Sequence, residues 1–164
     1  MIRATTEADT EAFVDLQRDG IAQFPDAFAL TAEEARATDL EQLTEWLNSG
    51  ETYGAFDGER MIGFAGVSRL PLAMARHRAT IGPFYVMPEH HGTGMAQALL
   101  DRVFADCTAL GVLQLELWVW QGNARARAFF RRNGFVQRGT IPRAGIMEDG
   151  KGRDDLFMIT ALDG

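Results

Sequence analysis

The sequence predicts a single α/β domain of the α+β type over residues 1–164, with a mixed central sheet of six to seven strands, two N-terminal helices and two later helices. Three observations predict it. Apolar residues recur every third or fourth position in some stretches and alternate in others, which are the helix and strand periods. Asp57-Gly58, between two alternating stretches, supplies the positive φ angles of a tight hairpin turn. Finally, 164 residues are the length of one ordinary domain that can bury a core without metal or disulfide staples.

Taken in chain order, Thr5 or Thr6 caps a first helix carrying Ala12, Phe13 and Leu16 on one side, with Gly20 as its stop. GIAQFPDAFAL then reads as a loop. Thr31 with Glu34 three residues on forms a capping box, and Leu40, Leu43 and Leu47 continue at helical spacing to Asn48-Ser49-Gly50. ETYGAF and RMIGFAGVSRL form an antiparallel hairpin, and ATIGPFYVMP is a buried third strand whose pairing Pro83 interrupts. Met95, Leu99, Val103, Cys107 and Leu110 make the inner stripe of a helix that Gly111 ends. VLQLELWVW, QGNARARAFFRRNG, FVQRGT and DDLFMIT complete the order as strand, helix, strand and strand.

Composition removes several classes of function. A formal net charge of −7 and a pI near 4.9 argue against a nucleic-acid-coating surface, which needs clustered Lys and Arg. ARARAFFRR is the exception, read either as a solvated helix face or as a phosphate contact. His77, His90 and His91 lack metal-ligand spacing, so no metal site is expected. No stretch reaches the length of a membrane span, and the N-terminus shows neither a secretory core nor a transit composition. With Cys107 as the one cysteine, placed on an apolar stripe, a reducing cytoplasm is the expected compartment.

The segment HHGTGMAQALL places two glycines one residue apart where a strand gives way to a helix. Such a junction presents several backbone N–H groups and a positive helix dipole to an anion, although it also serves as a plain strand-to-helix turn. The Lys-Ser/Thr of a Walker loop is missing after Gly94, and Gln97 stands where a dinucleotide fingerprint needs glycine. VMPEHHGTGMA instead resembles the acetyl-CoA signature of the GNAT N-acetyltransferase superfamily, Val-x-Pro-x-x-Arg/Gln-Gly-x-Gly-x-Gly/Ala. The resemblance implies the GNAT fold, and acetyl-CoA as co-substrate held by His91, Gly92, Thr93, Gly94, Met95 and Ala96. It also implies contacts from the strand residues Phe84 and Val86, near which a backbone N–H receives the charge that grows on the thioester carbonyl. His91 departs from the usual Arg or Gln.

LELWVWQGNARARAFFRRNGF is similar to a second family segment, with Asn123 and Gly134-Phe135 in register. Asn123 is therefore a candidate for the pantetheine arm as well as a helix N-cap. The tyrosine that the family offers to the departing thiolate is replaced by Phe130, which cannot donate a proton. Tyr85 is the better placed of the two phenols to substitute for it, and core packing is its competing fate. Glu116 is the candidate base or ammonium anchor, with a structural salt bridge as the competing role. His77, Glu116, GTIPRAG and the Asp155-x-x-Met158 ending resemble the bacterial branch that acetylates free amino acids and related small amines.

The expected activity is direct transfer of acetyl to the primary amine of a small molecule, an amino acid or analogue. Residues 20–30 and 141–153 are expected to frame the acceptor pocket. The alternatives are a polyamine or protein N-terminal acetyltransferase, or a non-catalytic acyl-CoA-binding regulator. A homodimer is expected by analogy, with neither nucleic acid nor membrane as partner.

Overall fold

The computed structural model describes residues 1–164. Its centre is one seven-stranded sheet in the order β1-β2-β3-β4-β5-β7-β6: β1 Ile2–Ala4, β2 Thr52–Asp57, β3 Arg60–Arg69, β4 Arg78–Val86, β5 Gln114–Trp120, β6 Val136–Ile146 and β7 Gly152–Ala161. Only β4 and β5 run parallel; every other neighbouring pair is antiparallel. The β2–β3 hairpin is present and turns at Gly58-Glu59; only Gly58 has the expected positive φ, 59°, because Asp57 ends β2 paired with Arg60.

The helices are α1 Thr10–Gln23, α2 Ala32–Arg36, α3 Leu40–Leu47, α4 Met95–Ala109 and α5 Ala124–Arg132. Three helices therefore precede the hairpin where two were expected. The Thr31–Glu34 capping box is present, but Asp39 starts a new helix by accepting the N–H groups of Glu41 and Gln42. Gly20 does not stop α1, which runs three residues further; its missing side chain instead leaves room for the Phe28 and Tyr85 rings against the helix backbone. Strand β1 escaped prediction because three residues carry no usable period.

Two apolar clusters cover the two faces of the sheet. On one face Leu99, Leu100, Val103 and Cys107 of α4 and Phe130 of α5 pack on Ala79, Ile81, Leu115, Leu117 and Val119. On the other, Phe13 and Leu16 of α1 and Leu43 and Leu47 of α3 pack on Ala55, Ile62, Phe64 and Tyr85. Truncating a fully buried residue such as Leu99 to Ala costs about 2–5 kcal/mol. Leu110, expected on the inner stripe, is exposed beyond the end of α4. No helix is long and apolar enough to cross a membrane.

Candidate active site

The functional geometry follows from how β4 and β5 part. They pair only at Arg78–Gln114, Ala79–Leu115 and Thr80–Glu116. Beyond that point the strands diverge, so from Ile81 to Val86 the edge of β4 that faces β5 has no ladder partner. The register shift of β4 against β3 between Ala65 and Val67 accompanies this splay, close to the interruption expected at Pro83. A cleft of about 1390 Å³ fills the opening, and its walls include Phe84, Tyr85, Val86, Trp118, Trp120 and Asn123.

At the mouth of the cleft lies the glycine-rich turn. Gly92 and Gly94 have φ of 78° and 87°, and a Cβ built on either would meet nothing within 4 Å. Open space and left-handed backbone are the two conditions under which side-chain-free residues let a ligand reach the amides. The N–H groups of Gly92, Gly94, Met95, Ala96 and Gln97 have no acceptor within the protein, as the first turn of a helix requires. This is an anion cradle at the positive end of α4.

The cradle differs from the expected donor set at both ends. His91 N–H donates to the Pro88 carbonyl and Thr93 N–H to the His90 carbonyl, so neither amide is free. The His91 ring nitrogen Nε2 sits 2.7 Å from the Val86 carbonyl oxygen, which ties the turn back to the end of β4. Gln97, absent from the expected set, adds a free amide. Arg125 and Arg132 of α5 also line the cleft, where the sequence left a solvated face open as the alternative.

Asn123 caps α5 and keeps its amide nitrogen without a protein partner. Its Oδ1 accepts the Ala126 N–H at 3.1 Å and caps α5, while its Nδ2 has no protein partner at the cleft wall. Phe130 packs edge-on against Phe84, Phe129 and Phe135, so an apolar ring occupies the place of the expected proton donor.

Glu116 is corrected. It sits at the apex of the splay, is not among the cleft-lining residues, and takes a two-pronged ion pair from Arg78 plus a hydrogen bond from Gln114. The Arg78 guanidinium holds its carboxyl below the usual range, opposite to what a neutral-pH base needs. Period-2 patterning put it on the correct face but could not reveal Arg78, which lies on a different strand.

Tyr85 lines the cleft but faces the α1 side of the sheet, packed on Phe28 and Phe64, while its neighbour Phe84 faces Phe129 and Phe130. Its hydroxyl is buried without a partner, and burial pushes the phenol up, which weakens it as an acid. His77 is exposed at the opposite end of β4 from the turn.

One further group had no sequence signal. Arg153 of β7 donates from Nη1 to the carbonyls of Asp26 and Phe28 at 2.6 and 3.1 Å, and from Nε to Asp155 at 2.9 Å. It thereby ties the segment after α1 across the cleft to the last hairpin. Of the two segments expected to frame the pocket, residues 23–30 line it, whereas 141–153 forms most of the β6–β7 hairpin and contributes only Arg153.

Residues 16–135 match the Acetyltransferase (GNAT) family, a span that contains the splayed strands, the cradle and Asn123. The chain belongs to that family. As a GNAT domain it is 30% identical over 148 residues to a mycothiol acetyltransferase of Beutenbergia cavernae, a match covering 86% of this chain and 46% of that protein. The chain spans less than half the length of the mycothiol acetyltransferases it matches. Among solved structures, the ribosomal-protein-alanine N-acetyltransferase from Brucella melitensis superposes with a TM-score of 0.81 at 26% identity, over 98% of this GNAT chain and 99% of that one. A Salmonella typhimurium protein solved with its cofactor acetyl-CoA shares the fold, with a TM-score of 0.84 at 20% identity over 100% and 94% of the two chains.

Proposed function

We propose that this chain is an acetyl-CoA-dependent N-acetyltransferase that moves an acetyl group directly to the primary amine of a small molecule, with amino acids and their analogues as the class to test. The observation that carries this reading is the unpaired edge of β4 leading straight into five free amides. The residues fit acetyl-CoA: Gly92, Gly94, Met95, Ala96 and Gln97 offer donors to a pyrophosphate, and Arg125 and Arg132 offer charge to further phosphate. The opening between β4 and β5 accepts the pantetheine arm, with Asn123 Nδ2 at its wide end, just past β5.

Acetyl-CoA supplies a thioester whose carbonyl carbon is open to attack. The chain's part is placement: a backbone N–H on the free edge of β4 near Phe84 to Val86 faces the oxygen that gains charge, a contribution of about 3 kcal/mol for one preorganised donor. Holding amine and thioester together supplies much of the remainder. The Phe130 ring gives no proton, so the thiolate takes its proton from water or from another group, or leaves unprotonated. With Glu116 held by Arg78, the amine loses its proton to water or to a carboxylate elsewhere in the cleft.

A second reading, an acceptor of the mycothiol type, is favoured by the 30% identity to a protein so named. The test is to mix the protein and acetyl-CoA with pooled amino acids, simple amines, polyamines, short peptides and mycothiol precursors, and to follow thiol release and product mass. Release with one pool is expected. Acetyl-CoA binding with silence in every pool overturns catalysis and leaves an acyl-CoA-binding regulator, the reading that Phe130 favours. A homodimer and a cytoplasmic location are proposed on analogy and on the single thiol, and light scattering tests the first.

A further inference from the structure

The cleft has a second half, on the face of the sheet opposite α5, that the cradle does not use. Its walls are Phe24, Phe28 and Leu30 after α1, Phe13 and Leu43 of the helices, and Trp118 and Trp120 of β5. Within this apolar surround Asp155 stands directly opposite Trp120 in the β5–β7 ladder, so the two side chains share a face. The Asp155 side chain is only 16% exposed.

Of the acids, only Asp26 and Asp155 line the cleft, and both are in this half. Of the basic residues lining it, His91, Arg125 and Arg132 belong to the turn and to α5, which leaves Arg153. Four of its five N–H donors go to Asp155 and to the Asp26 and Phe28 carbonyls, and its charge is paired with the Asp155 carboxylate. Arg153 therefore fixes the Asp155 carboxylate without presenting a free cation to a ligand. Each carboxylate oxygen keeps acceptor capacity beyond the one hydrogen bond it receives.

Resting on the acetyltransferase reading above, we propose that Asp155 anchors the ammonium group of the acceptor, and that the acceptor is a primary amine on an apolar or aromatic body with no carboxylate beside the amine. A cation next to a fixed carboxylate and the rings of Trp118 and Trp120 is doubly matched. A carboxylate placed there finds no free cation and lies near Asp155, a pairing that an apolar pocket penalises. The amino-acid class is thereby narrowed to its decarboxylated analogues.

The experiment compares matched pairs, 2-phenylethylamine with phenylalanine and isopentylamine with leucine, in the wild-type protein and in Asp155→Asn and Arg153→Met. Each amine is expected to exceed its amino acid at least roughly tenfold in kcat/KM. Asp155→Asn keeps an oxygen for Arg153 but removes the charge. It is expected to raise the amine KM at least roughly tenfold while the KM for acetyl-CoA and the thermal midpoint stay put. Arg153→Met, which breaks the tie but keeps the Asp155 charge, is expected to lower the thermal midpoint and to change the amine KM less.

Equal use of amine and amino acid overturns the proposal. So does an Asp155→Asn variant with an unchanged amine KM, or one that loses stability and both KM values together, which marks a structural role only. If thiol is released with polyamines, peptides or mycothiol precursors but with neither matched pair, this inference fails and the acetyltransferase reading stands. If acetyl-CoA binds and nothing releases thiol, both fall.

Discussion

On the turn side of the cleft the donors are five backbone amides within residues 92 to 97, whereas on the opposite side the polar groups are the Arg153 and Asp155 side chains, tied to carbonyls of residues 26 and 28 and set among the aromatic rings of β5. The first arrangement depends on φ angles and the absence of Cβ atoms, so it is written in a short local motif. The second depends on which strands lie beside each other, so it can change one residue at a time while the first is kept. A ligand part common to many relatives belongs on the backbone side, and a variable one on the side-chain side.

The strongest way to break this comparison is Gly94→Val. A left-handed φ of 87° costs a β-branched residue at least roughly 1–2 kcal/mol, and its methyls enter the cradle. Acetyl-CoA affinity measured by calorimetry should fall roughly a hundredfold or more, about 2.7 kcal/mol, while circular dichroism stays native. Unchanged affinity in a folded variant removes the cradle.

Gly20→Ala tests the other half. A Cβ there would lie 2.7 Å from the Phe28 ring, so Phe28 must move into the acceptor side. The gain of about 0.5–1 kcal/mol from helix propensity is offset by overpacking of about 1–3 kcal/mol. Amine KM should change several-fold with acetyl-CoA affinity untouched, and an equal change in both would merge the two halves.

Glu116→Gln should lower the thermal midpoint without altering the pH–rate profile. Because the folded carboxyl titrates below its ordinary value of 4.5, its stabilisation is full above that pH and is lost as pH falls through the folded pKa. The variant should therefore lose less stability than wild type on acidification below about pH 4.5. A shifted alkaline or neutral limb in the rate profile restores Glu116 as a base.

Asn123→Ala should cost about 1 kcal/mol in urea unfolding through the lost cap, with a modest rise in acetyl-CoA KM. The smallest effect concerns Cys107, whose thiol burial pushes up to about 11; native protein at pH 8 should resist alkylation that the unfolded chain undergoes readily.

These contrasts also explain what could be read in advance. Element order, the β2–β3 hairpin, the Thr31 cap, the Gly-x-Gly cradle and Asn123 were legible because each is set within a few residues of chain. The surroundings of Glu116 and Arg153 were not, since both depend on partners distant in sequence: Arg78 lies 38 residues from Glu116, and the carbonyls that seat Arg153 lie 125 and 127 residues away. Tyr85 was legible as cleft lining but not as facing α1, because the irregular pairing of β4 against β3 shifts the alternation that sequence spacing assumes. The helix count erred where Asp39 restarts a helix inside an apolar pattern that continues across the break.

The tie from Arg153 to the Asp26 and Phe28 carbonyls also fixes an order of events during synthesis. Every residue of the cradle and of both splayed strands has been polymerised by position 123, but the acceptor wall must wait for positions 153 to 155. A nascent chain that has emerged only through α5 already contains the cradle sequence, while the segment after α1 still lacks its clasp. Within this domain the clasp is thus completed after the cradle.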